Sequence, residues 1–106
     1  MDRKSALSYI SSQFGLSGEK ALKIVKITET SINRLLDKSK EAVLKGDNET
    51  LASCMHTLKS NFANLGLMEL SEKAKDLEVK IKQGEHENIE DKFQEILSLW
   101  SDYSSP

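Results

Sequence analysis

Residues 51–66 read LASCMHTLKSNFANLG. Leu51, Met55, Leu58, Phe62 and Leu65 recur at steps of four, three, four and three. That rhythm keeps all five on one face of a helix with 3.6 residues per turn. Gly66 follows directly and predicts the helix end, since glycine accepts the left-handed backbone that closes many helices. His56 lies about 100° round from Met55. Lys59, Ser60 and Ala63 share its stripe. One face is therefore large and apolar, while its neighbour is small, basic and carries an imidazole.

Outward from this stretch the same periodicity repeats. Toward the N-terminus, residues 19–45 predict a long helix. Its inward stripe is Ala21, Val25, Thr28, Ile32, Leu35, Ser39 and Ala42, widened by Leu36 and Val43. Glu29, Asn33, Arg34, Lys38 and Lys40 fall outside that stripe and are expected on a solvated surface. Lys45 and Gly46 end this helix, and Asp47 or Asn48 caps the next. Residues 5–14 predict a short helix with Leu7, Ile10 and Phe14 on one face. Residues 16–18 form a joint in which Ser17 is a candidate N-cap.

Toward the C-terminus, Leu70, Ala74, Leu77 and Ile81 mark a helix over 68–83, ended by Gly84. A polar turn over 85–88 leads into a last helix over 89–103, with Ile89, Phe93, Ile96, Trp100 and Tyr103 inward. The tail 104–106 is expected to be loose. Four long amphipathic helices joined by short connections predict an all-α fold, an antiparallel four-helix bundle with a short additional N-terminal helix. The expected organisation is one domain over 1–106, with a cap helix and joint over 1–18 and the bundle over 19–103.

Composition narrows the function. The 106 residues are 38% hydrophobic and 30% charged, which suits a globular chain with a modest core. The net charge is −2, with no basic block, so nucleic acid is not an expected partner. A single cysteine, Cys54, cannot form an intramolecular disulfide and fits a reducing, cytoplasmic setting; it is expected to be semi-buried. No signal-peptide pattern and no stretch of about 18 apolar residues is present, so membrane insertion is not expected. Nucleotide binding lacks its GxxxxGK[ST] loop, and zinc lacks HExxH, CxxC or any clustered ligand set. His86, in the polar turn, is expected to be a solvated loop histidine.

His56 is the remaining candidate for chemistry. A histidine beside an apolar stripe is more often structural than functional, but its surroundings favour function here. Lys59, expected to be exposed, places a cation one turn along the same face. Ser60 and Ala63 are small, leaving room for a bulky partner. No acidic residue shares the stripe, so a phosphoryl group would meet attraction rather than repulsion. A free imidazole titrates near 6.5, so its neutral nitrogen is a competent nucleophile at physiological pH. No Mg²⁺-binding carboxylate cluster accompanies it in the sequence, so any metal is expected from a partner.

His56-Thr57-Leu58-Lys59-Ser60, followed by Ala63-Asn64-Leu65-Gly66, resembles the H-x-L-K-G…(A)-N-L-G signature of histidine-containing phosphotransfer (HPt) domains. AVLKGD at 42–47 is similar to the end of that family's preceding helix. Leu70-Ser71, Ala74 and Leu77-Glu78 are similar to the L-S-x-x-A-x-x-L-E of the helix that follows. The likeness spans roughly residues 27–78.

The resemblance implies a phosphorelay intermediate of two-component signal transduction. His56 would accept a phosphoryl group from a receiver-domain aspartate and pass it to another receiver. Lys59 would stabilise the phosphoryl group, Ser60 and Ala63 would belong to the docking surface, and Asn64 and Gly66 to the helix-ending motif. The implied partners are response-regulator receivers and a hybrid sensor histidine kinase. The domain itself would be a monomer with no kinase or nucleotide site and no bound cofactor, the receiver supplying Mg²⁺. Ser60 stands where the family usually has glycine; serine keeps the surface low and adds a hydroxyl donor. Two other readings compete: an interaction module that binds a receiver without being phosphorylated, and a kinase dimerisation domain. The latter usually has an acidic residue after its histidine and a nearby proline, whereas here Thr57 follows His56 and no proline is near.

Overall fold

The computed structural model describes residues 3–104. Five helices follow in order: α1 (Arg3–Phe14), α2 (Gly18–Lys45), α3 (Asn48–Asn64), α4 (Met68–Lys82) and α5 (Ile89–Ser104), with no strand among the described residues. The fold is the expected all-α bundle of four long helices plus an N-terminal one. The 28 residues of α2 span about 42 Å at 1.5 Å per residue. That length sets the longest dimension of the molecule, 44 Å against 23 and 18 Å across. Helices α2 to α5 pack each on the next, and α1 lies along α2.

The core follows from the apolar stripes. Leu51, Met55, Leu58, Phe62 and Leu65 are fully buried, as are Ile32, Ala74 and Ile96. Deleting a side chain as large as Phe62 from such a site costs about 3–5 kcal/mol. Helix α5 closes the bundle against α2 by a polar contact as well: the Trp100 indole N–H donates to Asn33 Oδ1 at 2.8 Å. Trp100 also stacks on Tyr103, with ring centroids 4.8 Å apart, and tilts against Phe62.

Four expectations are corrected here. Glu29, expected on the surface, is buried in the stripe of α2, while Thr28 and Leu35, expected inward, are only half-buried. The physical reason is compensation from other helices. Glu29 Oε2 accepts from Arg3 Nε of α1 and from the Tyr103 hydroxyl of α5, both at 2.8 Å. Burial and then the Glu29 carboxylate push the Tyr103 hydroxyl up, so it remains a donor. Phe14, expected on one face with Leu7 and Ile10, does not share the burial of Ile10 and is 58% exposed, because the apolar face of α1 runs out where the chain turns through Gly15. Cys54 is buried rather than semi-buried. The tail 104–106 was expected to be loose; Ser104 is instead the last residue of α5, and residues 105 and 106 lie outside the described residues.

The caps set where α3 begins and ends. Of the two candidates, Asp47 is the N-cap, its Oδ1 accepting from the Thr50 amide at 3.1 Å. At the other end the Gly66 amide donates to the Ala63 carbonyl and the Leu67 amide to the Phe62 carbonyl, a Schellman closure. Gly66 takes φ +76°, and a Cβ built on it would lie 2.8 Å from Tyr9 Cγ of α1. Gly46 has a similar φ of +67° but open space around it. Gly46→Ala should therefore cost about 1–2 kcal/mol, the backbone term alone. Gly66→Ala should cost about 1–3 kcal/mol more, through overpacking. Urea midpoints of the two variants check this, and adding Tyr9→Ala to Gly66→Ala should recover part of the excess.

Candidate functional site

His56 sits on the third turn of α3, one position round from the buried Met55. Because Leu51, Met55 and Leu58 anchor the apolar face, the imidazole is forced outward, and its side chain is 66% exposed. It is not free to swing. Its Nδ1 lies 2.9 Å from Glu78 Oε2 on α4. Sequence reasoning found no acidic residue on the His56 stripe of α3, but Glu49, two turns back on that face, borders the same groove, and α4 brings a second carboxylate, Glu78, across.

Glu78 is itself buried, at 4% exposure, and two hydrogen-bond donors and a third, more distant cation surround it. His56 Nδ1 and Lys82 Nζ both reach Oε2, the latter at 2.8 Å, and Lys59 Nζ stands 3.8 Å from Oε1. Burial pushes this carboxyl up, but the hydrogen bonds from Lys82 and His56 outweigh it and hold Glu78 below the ordinary carboxylate range. An ionised carboxylate can only accept. Nδ1 must therefore carry a proton and donate it, which leaves the lone pair of a neutral imidazole on Nε2. The ring is oriented and its nucleophilic nitrogen chosen by one contact.

The other predicted residues take varied places. Lys59, expected to be exposed, is half-buried, with its side chain one-third exposed, because it leans toward Glu78. Ser60 and Asn64 are exposed and Ala63 is half-buried. Gly66 is buried under Tyr9 and does not reach the site. Ser71 of α4 was quoted only as part of a motif. Its hydroxyl donates to the Lys59 carbonyl at 2.9 Å, bolting α4 to α3 beside the site.

An open groove of about 580 Å³ runs from His56 between α3 and α4, over Ala52, Ser53 and Ile81 to Asn48 and His86. His86 is exposed as expected but not unattached: the Asn48 side-chain amide donates to its Nδ1 at 3.0 Å. Sequence reasoning missed Glu78 as a site residue. The available signal was its spacing, since it stands four residues after Ala74 of the inward stripe and four before Lys82.

Fold and site together define a four-helix bundle presenting one oriented, solvent-facing histidine beside a lysine. The family model of the Hpt domain matches residues 23–105, and the chain belongs to that family. Neither a curated protein nor a solved structure matches the chain. Hpt domains are phosphotransfer modules of two-component phosphorelays, partner with receiver domains and carry no kinase domain of their own. Among the described residues, no helix is long and apolar enough to cross a membrane.

The Glu78 carboxyl gives the site a pH signature. A carboxyl held low in the folded state stabilises the fold above its unfolded value, about 4.3, and that stability is lost as pH falls through the folded value. Urea midpoints followed from pH 6 down to pH 3 should fall more steeply for the parent than for Glu78→Gln, the parent's advantage shrinking below about pH 4.5.

Proposed function

We propose that this chain is a phosphorelay intermediate in which His56 takes a phosphoryl group from the aspartate of one receiver domain and hands it to another. The observation that carries the reading is the Glu78–His56 contact, which leaves Nε2 as the exposed nucleophile. Nε2 attacks the phosphorus of the aspartyl phosphate. The Nε2–P bond forms as the acyl P–O bond breaks, and the aspartate leaves as a carboxylate. The Nδ1 proton stays in place, facing Glu78, so the imidazolium character that develops on the ring meets a negative charge. Onward transfer is the same step reversed on a second receiver.

Lys59 is the cation for the phosphoryl oxygens, lying three residues along the same helical face. Ser60 and Ala63 form the low surface on which the receiver's active-site rim rests, and the Ser60 hydroxyl can donate to a phosphoryl oxygen. Asn64 and Gly66 belong to the end of the helix rather than to the chemistry. The Mg²⁺ of such a transfer is assigned to the receiver. Beside His56 the buried carboxylate is already engaged by two donors and faced by a second ammonium group, so the residues here do not suit a hard dication. We assign a monomer that acts in the cytoplasm, with a hybrid sensor kinase as one source of the phosphorylated receiver.

Incubation with phosphorylated receiver domains tests the reading. The expected product is an acid-labile, base-stable label on this chain that is absent from His56→Gln. Label that persists in His56→Gln rules the assignment out, and no label from any receiver of the same organism favours the unphosphorylated interaction module. Lys59→Ala should fold normally and transfer roughly tenfold more slowly, the effect of losing one charge-assisted hydrogen bond worth about 1.5 kcal/mol.

A further inference from the structure

Two ammonium groups, Lys59 and Lys82, face the single carboxylate of Glu78, and they do so unequally. Lys82 Nζ makes a hydrogen bond of 2.8 Å to Oε2, whereas Lys59 Nζ stops at 3.8 Å from Oε1, an ion pair without a hydrogen bond. Lys82 comes from the same helix as Glu78, one turn on, and reaches it across solvent with its side chain 64% exposed. Lys59 comes from the helix of His56. We propose that Lys82 is a positioning residue, the standing counter-ion of Glu78, whose presence frees Lys59 to leave Glu78 and follow the phosphoryl group on His56. This rests on the transfer reading above.

The electrostatic argument is one of balance. A buried carboxylate left with only the neutral donor His56 would lack a counter-charge and be costly to keep ionised. If Lys59 were its sole cation, drawing Lys59 toward a phosphoryl group would leave Glu78 in that state, so the attraction to the phosphoryl oxygens would be offset by the loss at Glu78. With Lys82 in place, one cation stays and one is surplus. Before transfer the cluster holds two ammonium groups, one carboxylate and a neutral ring, a net charge of plus one. The arriving phosphoryl group, with Nδ1 still protonated, brings one negative charge and makes it neutral. The other titratable groups bordering the groove, Glu49 and His86, make no recorded contact with the Glu78 carboxylate.

The experiment has one readout on the resting protein and one on transfer. In ¹³C-carboxyl NMR titrations, Lys82→Gln should raise the Glu78 midpoint further than Lys59→Ala does; an equal or larger effect of Lys59→Ala overturns the proposal. In transfer assays, Lys82→Gln should be about fivefold slower than the parent, Lys82→Arg should restore the rate, and adding Lys82→Gln to Lys59→Ala should cost little more. A full additional loss in the double variant, or no rescue by arginine, also overturns it. If the parent takes no phosphoryl group, the transfer reading fails and the mobile role of Lys59 fails with it. The carboxyl titration then still decides, by itself, whether Lys82 is the standing partner.

Discussion

The carboxylate of Glu78 is buried against α3, and a buried carboxylate must be met by donors or be lost as a charge. Everything distinctive about the site follows from how that requirement is satisfied. One donor is the imidazole of His56, which is thereby turned, held and given a defined tautomer. Another is Lys82, and Lys59 stands within ion-pair distance. The contact also fixes α3 and α4 relative to each other, reinforced by the Ser71 hydroxyl on the Lys59 carbonyl. Orientation of the His56 ring and registry of two helices are thus one interaction seen from two sides.

The same physics operates a second time on α2. Glu29 is buried and accepts from Arg3 of α1 and Tyr103 of α5, so one carboxylate gathers three helices. Among the described residues no buried side-chain nitrogen or oxygen lacks a hydrogen-bond partner. The Hpt match begins at residue 23, so α1 lies outside it. That helix is nevertheless integrated by Arg3 on Glu29 and by the Tyr9 ring against Gly66, the residue that closes the histidine-bearing helix. An N-terminal helix that reads as an appendage is packed against the end of α3.

Most of the fold was legible because helix periodicity is a local property. The stripes of α3, α4 and α5 could be counted off at steps of three and four, and glycine and aspartate marked their ends. Where the reading slipped, the error was one of facing. On α2 the polar Glu29 was assigned to solvent and Thr28 to the interior, because sequence polarity does not reveal partners 26 and 74 residues away. On α1 the apolar pattern extended to Phe14, but nothing covers it there. Cys54 was placed near the right boundary and proved fully inside it.

For the site, the sequence by itself determined that His56 would stand on a helix beside a small, basic surface, since Lys59, Ser60 and Ala63 follow it at helical spacing. It also determined the family, because the motif around His56 is contiguous along the chain. Only the tertiary structure decided which ring nitrogen is free, that Lys59 is half-buried rather than exposed, and that Lys82 shares an oxygen with the histidine. Those facts depend on Glu78 arriving from another helix, 22 residues further along. Periodicity places a residue on a face; it cannot say which side chain of the next helix will be pressed against that face, because the answer depends on the rotation and register with which two helices pack.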